Sequence, residues 1–257
     1  MPYFYGFDWT YLVLVLPCVI LAMWASSNVN STFKRYASQY SSRRITGAEA
    51  ARRVLSANGV YGVRIERVSG NLTDHYDPKA NVIRLSDNVH DSTSTAAIGV
   101  ACHEAGHAVQ YAVNYTPIKL RAAIIPITNI GSKLAMPLIL LGLVLTYLGD
   151  LSYLFIYLGI AAFSLSLIFQ LVTLPVEFNA SRRAMEAIRN SQLLTEEEQK
   201  GARKTLTAAA MTYVAATAVA LAQLLRLILI FGGRVRRRDL PLDICFTAPV
   251  LTTGAVC

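Results

Sequence analysis

The chain has 257 residues, 54% of them apolar and only 16% charged, with a mean hydropathy of +0.41. That is too apolar for an ordinary soluble domain and points to membrane spans. The net charge of +8 lies mostly beside apolar runs, where it orients a membrane protein and argues against a nucleic-acid partner. Four scattered cysteines with no C-x-x-C pair argue against a cysteine zinc site.

From Trp9 to Phe33 there is no charged residue, and Trp9 to Ala25 is about one bilayer span. No basic residue precedes it, so an uncleaved anchor over 1–25 is expected rather than a signal peptide. Residues 46–58 read as a short amphipathic helix, with Thr46 and Glu49 in a capping-box pattern and Asn58-Gly59 at its end. Val63 to Ser69 and Asn81 to Ser86 have strand character, and Asp74-His75-Tyr76-Asp77-Pro78 between them carries turn residues. Together they predict a hairpin feeding a helix that starts near Asp91-Ser92. That hairpin either offers an edge to a substrate backbone or only packs on the helix.

The helix carries His103-Glu104-Ala105-Gly106-His107, a full H-E-x-x-H match. Residues four apart share a helical face, so both imidazoles can reach one metal ion, with Glu104 beside the first. The flanks from Ala96 to Cys102 and from Ala108 to Val113 are mostly apolar. Two histidines and a carboxylate buried there need a partner. Cys102 lies about 100° around the helix from His103 and cannot share the ligand face.

A second apolar region runs from Ala122 to Leu148, interrupted by Pro126, Lys133 and Pro137, and a third from Leu151 to Val176. Then comes Leu174-Pro175-Val176-Glu177-Phe178-Asn179-Ala180-Ser181-Arg182-Arg183-Ala184. Pro175 is read as opening a helix over 177–204, with Glu177 in its first turn. A lone carboxylate at the mouth of a span is costly, so Glu177 is a candidate ligand; pairing with Arg182 or Arg183 is the alternative. His75 and His90 are further candidates, both ahead of the metal helix. A fourth segment, 205–233, is polar enough to pack against a catalytic site instead of crossing fully. In 234–257, Arg234 to Arg238 form a basic cluster and the rest reads as an unstructured end. A Cys245–Cys257 disulfide and a self-inhibitory strand over Ile244 to Val250 are mutually exclusive alternatives for that tail.

Between Lys34 and Arg67 stand eight Lys and Arg against two acids. The positive-inside rule then places the N-terminus outside, with 26–121 and 177–204 in the cytoplasm and 122–176 as two crossings.

The HEAGH helix, two membrane segments and an E-F-N-A-S segment together resemble the HtpX and CAAX prenyl protease type of membrane metalloprotease. More closely, TDHYDPKANVIRLSD (73–87), AAIGVACHEAGHAVQ (96–110), LPVEFNASRRA (174–184) and TYVAA (212–216) are similar to the YugP-type membrane zinc metallopeptidases. The resemblance covers roughly residues 3–235. It implies a gluzincin core with one Zn2+ per chain, held by His103, His107 and Glu177, and Glu104 as general base. Ser181 stands where the HtpX pattern has an Asp that supports a ligand histidine, so Asp74 and Asn179 become candidates for that support. Tyr213 and His75 are the expected donors to the reaction's oxyanion.

The expected protein is thus mainly α: an integral membrane helical protein with about four membrane segments. Its gluzincin-like catalytic region, containing a small β-hairpin, faces the cytoplasm of a bacterial cell. The expected activity is hydrolysis of peptide bonds in membrane or membrane-proximal proteins. A non-catalytic scaffold with a structural zinc is the alternative.

Overall fold

The computed structural model describes residues 9–145, 147 and 149–232. The expectations for the basic cluster at Arg234 to Arg238, for Cys245 and Cys257, and for the self-inhibitory strand fall outside them.

The chain is mainly helical, and its described residues include four helices long and apolar enough to cross a membrane and one small sheet. A π-helical turn, Tyr11–Val15, leads into α1, Leu16–Ala37. Pro17, near the start of α1, has no N–H to donate, and the widened turn ahead of it absorbs the missing bond. After α1 come α2, Gly47–Ala57, and the strands β1, Arg64–Val68, β2, His75–Asp77, and β3, Val82–Ser86. The short helix α3, Asp87–His90, precedes α4, Thr95–Ala112, which carries the H-E-x-x-H motif. Three long helices complete the fold: α5, Thr116–Val144, α6, Asp150–Asn190, and α7, Glu196–Gly232.

The cap expected on α2 is present: the Thr46 hydroxyl accepts from the Glu49 N–H at 3.2 Å. The sheet departs from the sequence reading. The stretch expected to be a turn contains β2, and the order is β1-β3-β2. β3 pairs parallel with β1 (Ile65 opposite Ile83) and antiparallel with β2 (Tyr76 opposite Ile83). The hairpin therefore lies between β2 and β3, and both edges of β3 are taken. Val82, Ile83 and Leu85 of β3 are fully buried, which suits a central strand.

Pro175 does not open a helix either. It lies inside α6, which runs unbroken for 41 residues, about 60 Å at ~1.5 Å per residue. That is about twice the ~30 Å hydrocarbon thickness, so one helix both spans and carries Glu177 beyond the span. Pro126 and Pro137 likewise sit inside a continuous α5. Membrane helices tolerate such prolines because neighbouring helices and side chains re-satisfy the freed backbone groups.

Small residues set the close approaches. A Cβ on Gly142 would lie 2.7 Å from the Ser152 carbonyl, and one on Gly159 2.9 Å from that of Ala135, so α5 and α6 touch backbone to backbone. Ile127, Ile130, Leu154 and Leu171 point away from the protein, as lipid-facing side chains do. α7 runs antiparallel along the whole of α1: Gly201 lies against Tyr36, and the Arg226 guanidinium lies over the Tyr11 ring at 5.5 Å. The fourth segment, expected at 205–233, therefore extends as far along the bundle as the first.

α4 is the hub. Its alanines (Ala96, Ala97, Ala101, Ala105) are fully buried and let α2, α6 and α7 close around it. Val54, Ile83, Leu85, Val89, Ile98 and Ile188 form the surrounding core.

Candidate metal centre

Ser94 caps α4, its hydroxyl accepting from the Ala97 N–H at 3.2 Å, and fixes where the helical register begins. That register puts His103 and His107 on one face, ring centroids 4.7 Å apart and edge-on. Glu177 of α6 meets them. Its Oε2 lies 3.3 Å from His103 Nε2 and 3.5 Å from His107 Nε2. The ligand atoms of these three residues all fall within 4.8 Å of one another.

These distances fit a metal site. Glu177 Oε2 is buried and makes no hydrogen bond, so the imidazoles are near it without donating to it. A tetrahedral zinc with bonds of ~2.0–2.2 Å separates its ligand atoms by about 3.3–3.6 Å. The observed separations match that spacing, and an orphaned buried carboxylate oxygen facing two imidazole nitrogens fits a divalent cation.

The protein also selects the imidazole tautomer. Gln110 Nε2 donates to the Val176 carbonyl (2.8 Å) and to Asn179 Oδ1 (3.0 Å). Arg183 Nε donates to the same Asn179 oxygen at 2.8 Å, so neither amide is free to flip. Gln110 Oε1 must then face His107 Nδ1, 3.0 Å away, and accept its proton. That leaves the Nε2 lone pair pointing at the site, as a metal ligand requires. His103 Nδ1 is 3.1 Å from Ser181 Oγ, so Ser181 itself provides that contact. Asn179 acts one step removed, through Gln110. Asp74 contacts neither ring: its carboxylate accepts from the Ser86 N–H (2.7 Å) and hydroxyl (3.0 Å). Burial pushes the Asp74 carboxyl above its ordinary range, the Ser86 donors pull against that, and nearby Glu104 adds to the rise.

Glu177 does not pair with Arg182 or Arg183. Its other oxygen, Oε1, accepts from Arg121 at the head of α5, at 3.0 Å. Arg121 was invisible in the sequence beyond being a cation beside a span. Gln110 had a signal, since it lies three residues after His107 and so on the same helical face.

Glu104 is 8% exposed, and it lines a cavity with His103, Glu177, Asp74, Ser181 and Tyr213. His75 is not among them. It sits exposed on β2, its Nδ1 2.8 Å from the Thr73 carbonyl and its Nε2 3.3 Å from Arg84. His90 is also elsewhere, beside Asp91 at the end of α3.

Two histidines from one helix and a glutamate from another, with a second glutamate next to the first histidine, define a zinc-metallopeptidase type of site. The whole described region agrees: residues 11–232 match the family described as "Putative neutral zinc metallopeptidase", and the chain belongs to that family. It is 47% identical over 225 residues to "Putative membrane protease YugP" of Bacillus subtilis (strain 168), covering 87% of this chain and 98% of that protein. No solved structure matches it.

Proposed function

We propose that this chain is a zinc-dependent endopeptidase that cuts peptide bonds of membrane and membrane-proximal proteins. The observation that carries the reading is the orphaned Glu177 oxygen at zinc-like spacing from two imidazoles whose other nitrogens are engaged. His103, His107 and Glu177 would hold the ion. Bound zinc would lower the pKa of the attacking water toward ~7 and polarise the scissile carbonyl. Glu104, on the cavity wall beside the ligands, would accept a proton from the attacking water and return it to the leaving amine. Arg121 holds Glu177 Oε1 by a charged hydrogen bond and so turns one oxygen alone toward the histidines. The Tyr213 phenol, on the same cavity, donates to the carbonyl oxygen as charge develops there. His75, turned toward Thr73 and Arg84, has no part in this reading.

The catalytic region faces the cytoplasm of a bacterial cell membrane in this proposal. The basic excess of residues 34–67 supports that orientation. The end of α1 and the start of α7 meet beside the site, so the site lies at one end of the membrane bundle. Topology reporters fused at Ser56 and Gly149 should read opposite sides, with Ser56 inside.

The decisive experiment is Glu104→Gln in the full chain in detergent. Zinc content should stay near one per chain and proteolysis of a mixed membrane-protein pool should fall at least 100-fold. Equal proteolysis by the variant and the parent would overturn the assignment.

A further inference from the structure

We propose that the space between α1, α4 and α7 is a subsite for an apolar side chain of the substrate, flanking the bond that is cut. This rests on the peptidase reading above. The cavity reaching His103, Glu104 and Glu177 has a volume of about 230 Å3. A single water needs only about 10–15 Å3 of such space. The cavity is therefore far larger than an attacking water requires, and it has room for a side chain.

Its chemistry identifies the kind of side chain. The wall away from the ligands is made by Val29 and Phe33 of α1 and by Leu206, Ala209 and Ala210 of α7. Apart from the Tyr213 phenol, which faces the reacting carbonyl in the reading above, the polar residues along it are already engaged. Thr205 donates to the Gly201 carbonyl at 3.0 Å and Thr212 to the Ala209 carbonyl at 2.6 Å. Ser181 faces His103, and Asp74 accepts twice from Ser86. A polar substrate side chain would give up its water there without finding partners, whereas an apolar one gains by leaving water. Ala209 and Ala210 keep the space open, because a larger residue at either position would occupy it. Val29 and Phe33 lie one turn apart on the first membrane helix, so that helix is a wall of the subsite as well as an anchor.

The test uses the full zinc-loaded chain in detergent and a mixed library of unstructured synthetic peptides, with cut positions mapped by mass spectrometry. The parent should favour Leu, Ile, Met or Phe over Gly, Ser and Asp at one position flanking the cut, at least 10-fold in kcat/KM. Ala210→Leu should shift the ratio of large to small residues at that position toward Gly and Ala by about 10–200-fold, the range for a methylene-scale change in an apolar pocket. Val29→Phe fills the same space from a different helix and should shift it in the same direction, so the test survives if one variant misfolds. Zinc content of both variants, read by metal analysis, reports whether the centre is intact. Cleavage by the parent with no flanking preference, or an unchanged preference in both zinc-loaded variants, overturns the subsite while leaving the peptidase reading in place. A zinc-loaded parent that cuts nothing overturns both.

Discussion

Gly106 sits between the two histidines and sets how closely α6 approaches α4, so Gly106→Ala tests whether that approach fixes the metal geometry. A Cβ at this position would lie 2.8 Å from the Ala180 carbonyl oxygen. Ordinary contact begins near ~3.4 Å, so α6 must retreat by about 0.5 Å. Ala180 adjoins Ser181, which touches His103, and lies one turn beyond Glu177. A shift of about 0.5 Å is at the limit a metal constellation tolerates, and zinc affinity should fall about 10–100-fold. Stability should change less: alanine gains about 1 kcal/mol of helix propensity over glycine and overpacking costs about 1–3, a net loss of about 0–2 kcal/mol. Competition with a chromogenic chelator measures the affinity in detergent, and denaturant unfolding of the metal-free chain measures the stability. Gly99→Ala is the control on the same helix. Its Cβ would meet the Ala202 side chain of α7 at 3.2 Å, away from the α4–α6 seam, and should leave zinc affinity within about threefold. Zinc affinity of Gly106→Ala within twofold of the parent would refute the argument.

Gln110→Leu frees His107 Nδ1 from its acceptor and leaves the Val176 carbonyl without its side-chain donor; zinc affinity should fall about 10–100-fold by the same competition assay. Arg121→Gln removes the charged donor from Glu177 Oε1 and should destabilise the metal-free protein by about 1–2 kcal/mol in denaturant unfolding, a range reduced because Arg121 is partly exposed. The same variant should show weaker zinc binding, and Arg121→Lys should recover part of it by keeping the charge.

Several of these features were legible in the sequence because they are local. The metal helix announces itself through i,i+4 spacing, the cap of α2 through Thr46 and Glu49, and the first and third membrane segments through uninterrupted apolar length. What failed was non-local or depended on context. Pro175 reads as a helix start by propensity, yet inside a packed membrane helix its missing N–H is tolerated. Asp74 to Pro78 has the composition of a turn, but Tyr76 finds Ile83 across the ladder and a strand forms. The parallel pairing of β1 with β3 has no signature in adjacent residues. Arg121 and Glu177, 56 residues apart, meet only because α5 and α6 fold back on each other.

The order in which the chain is made gives the centre a delay. Ser181 follows His103 by 78 residues, so at about 5–20 residues per second the second helix of the site trails the first by about 4–16 s. α7, which closes the cavity, emerges later still. Until then the histidines have no third ligand, and the apolar wall lined by Ala209 and Ala210 is missing. The nascent chain, whose own spans are long apolar segments, thus reaches the membrane before the proposed hydrolytic centre is assembled.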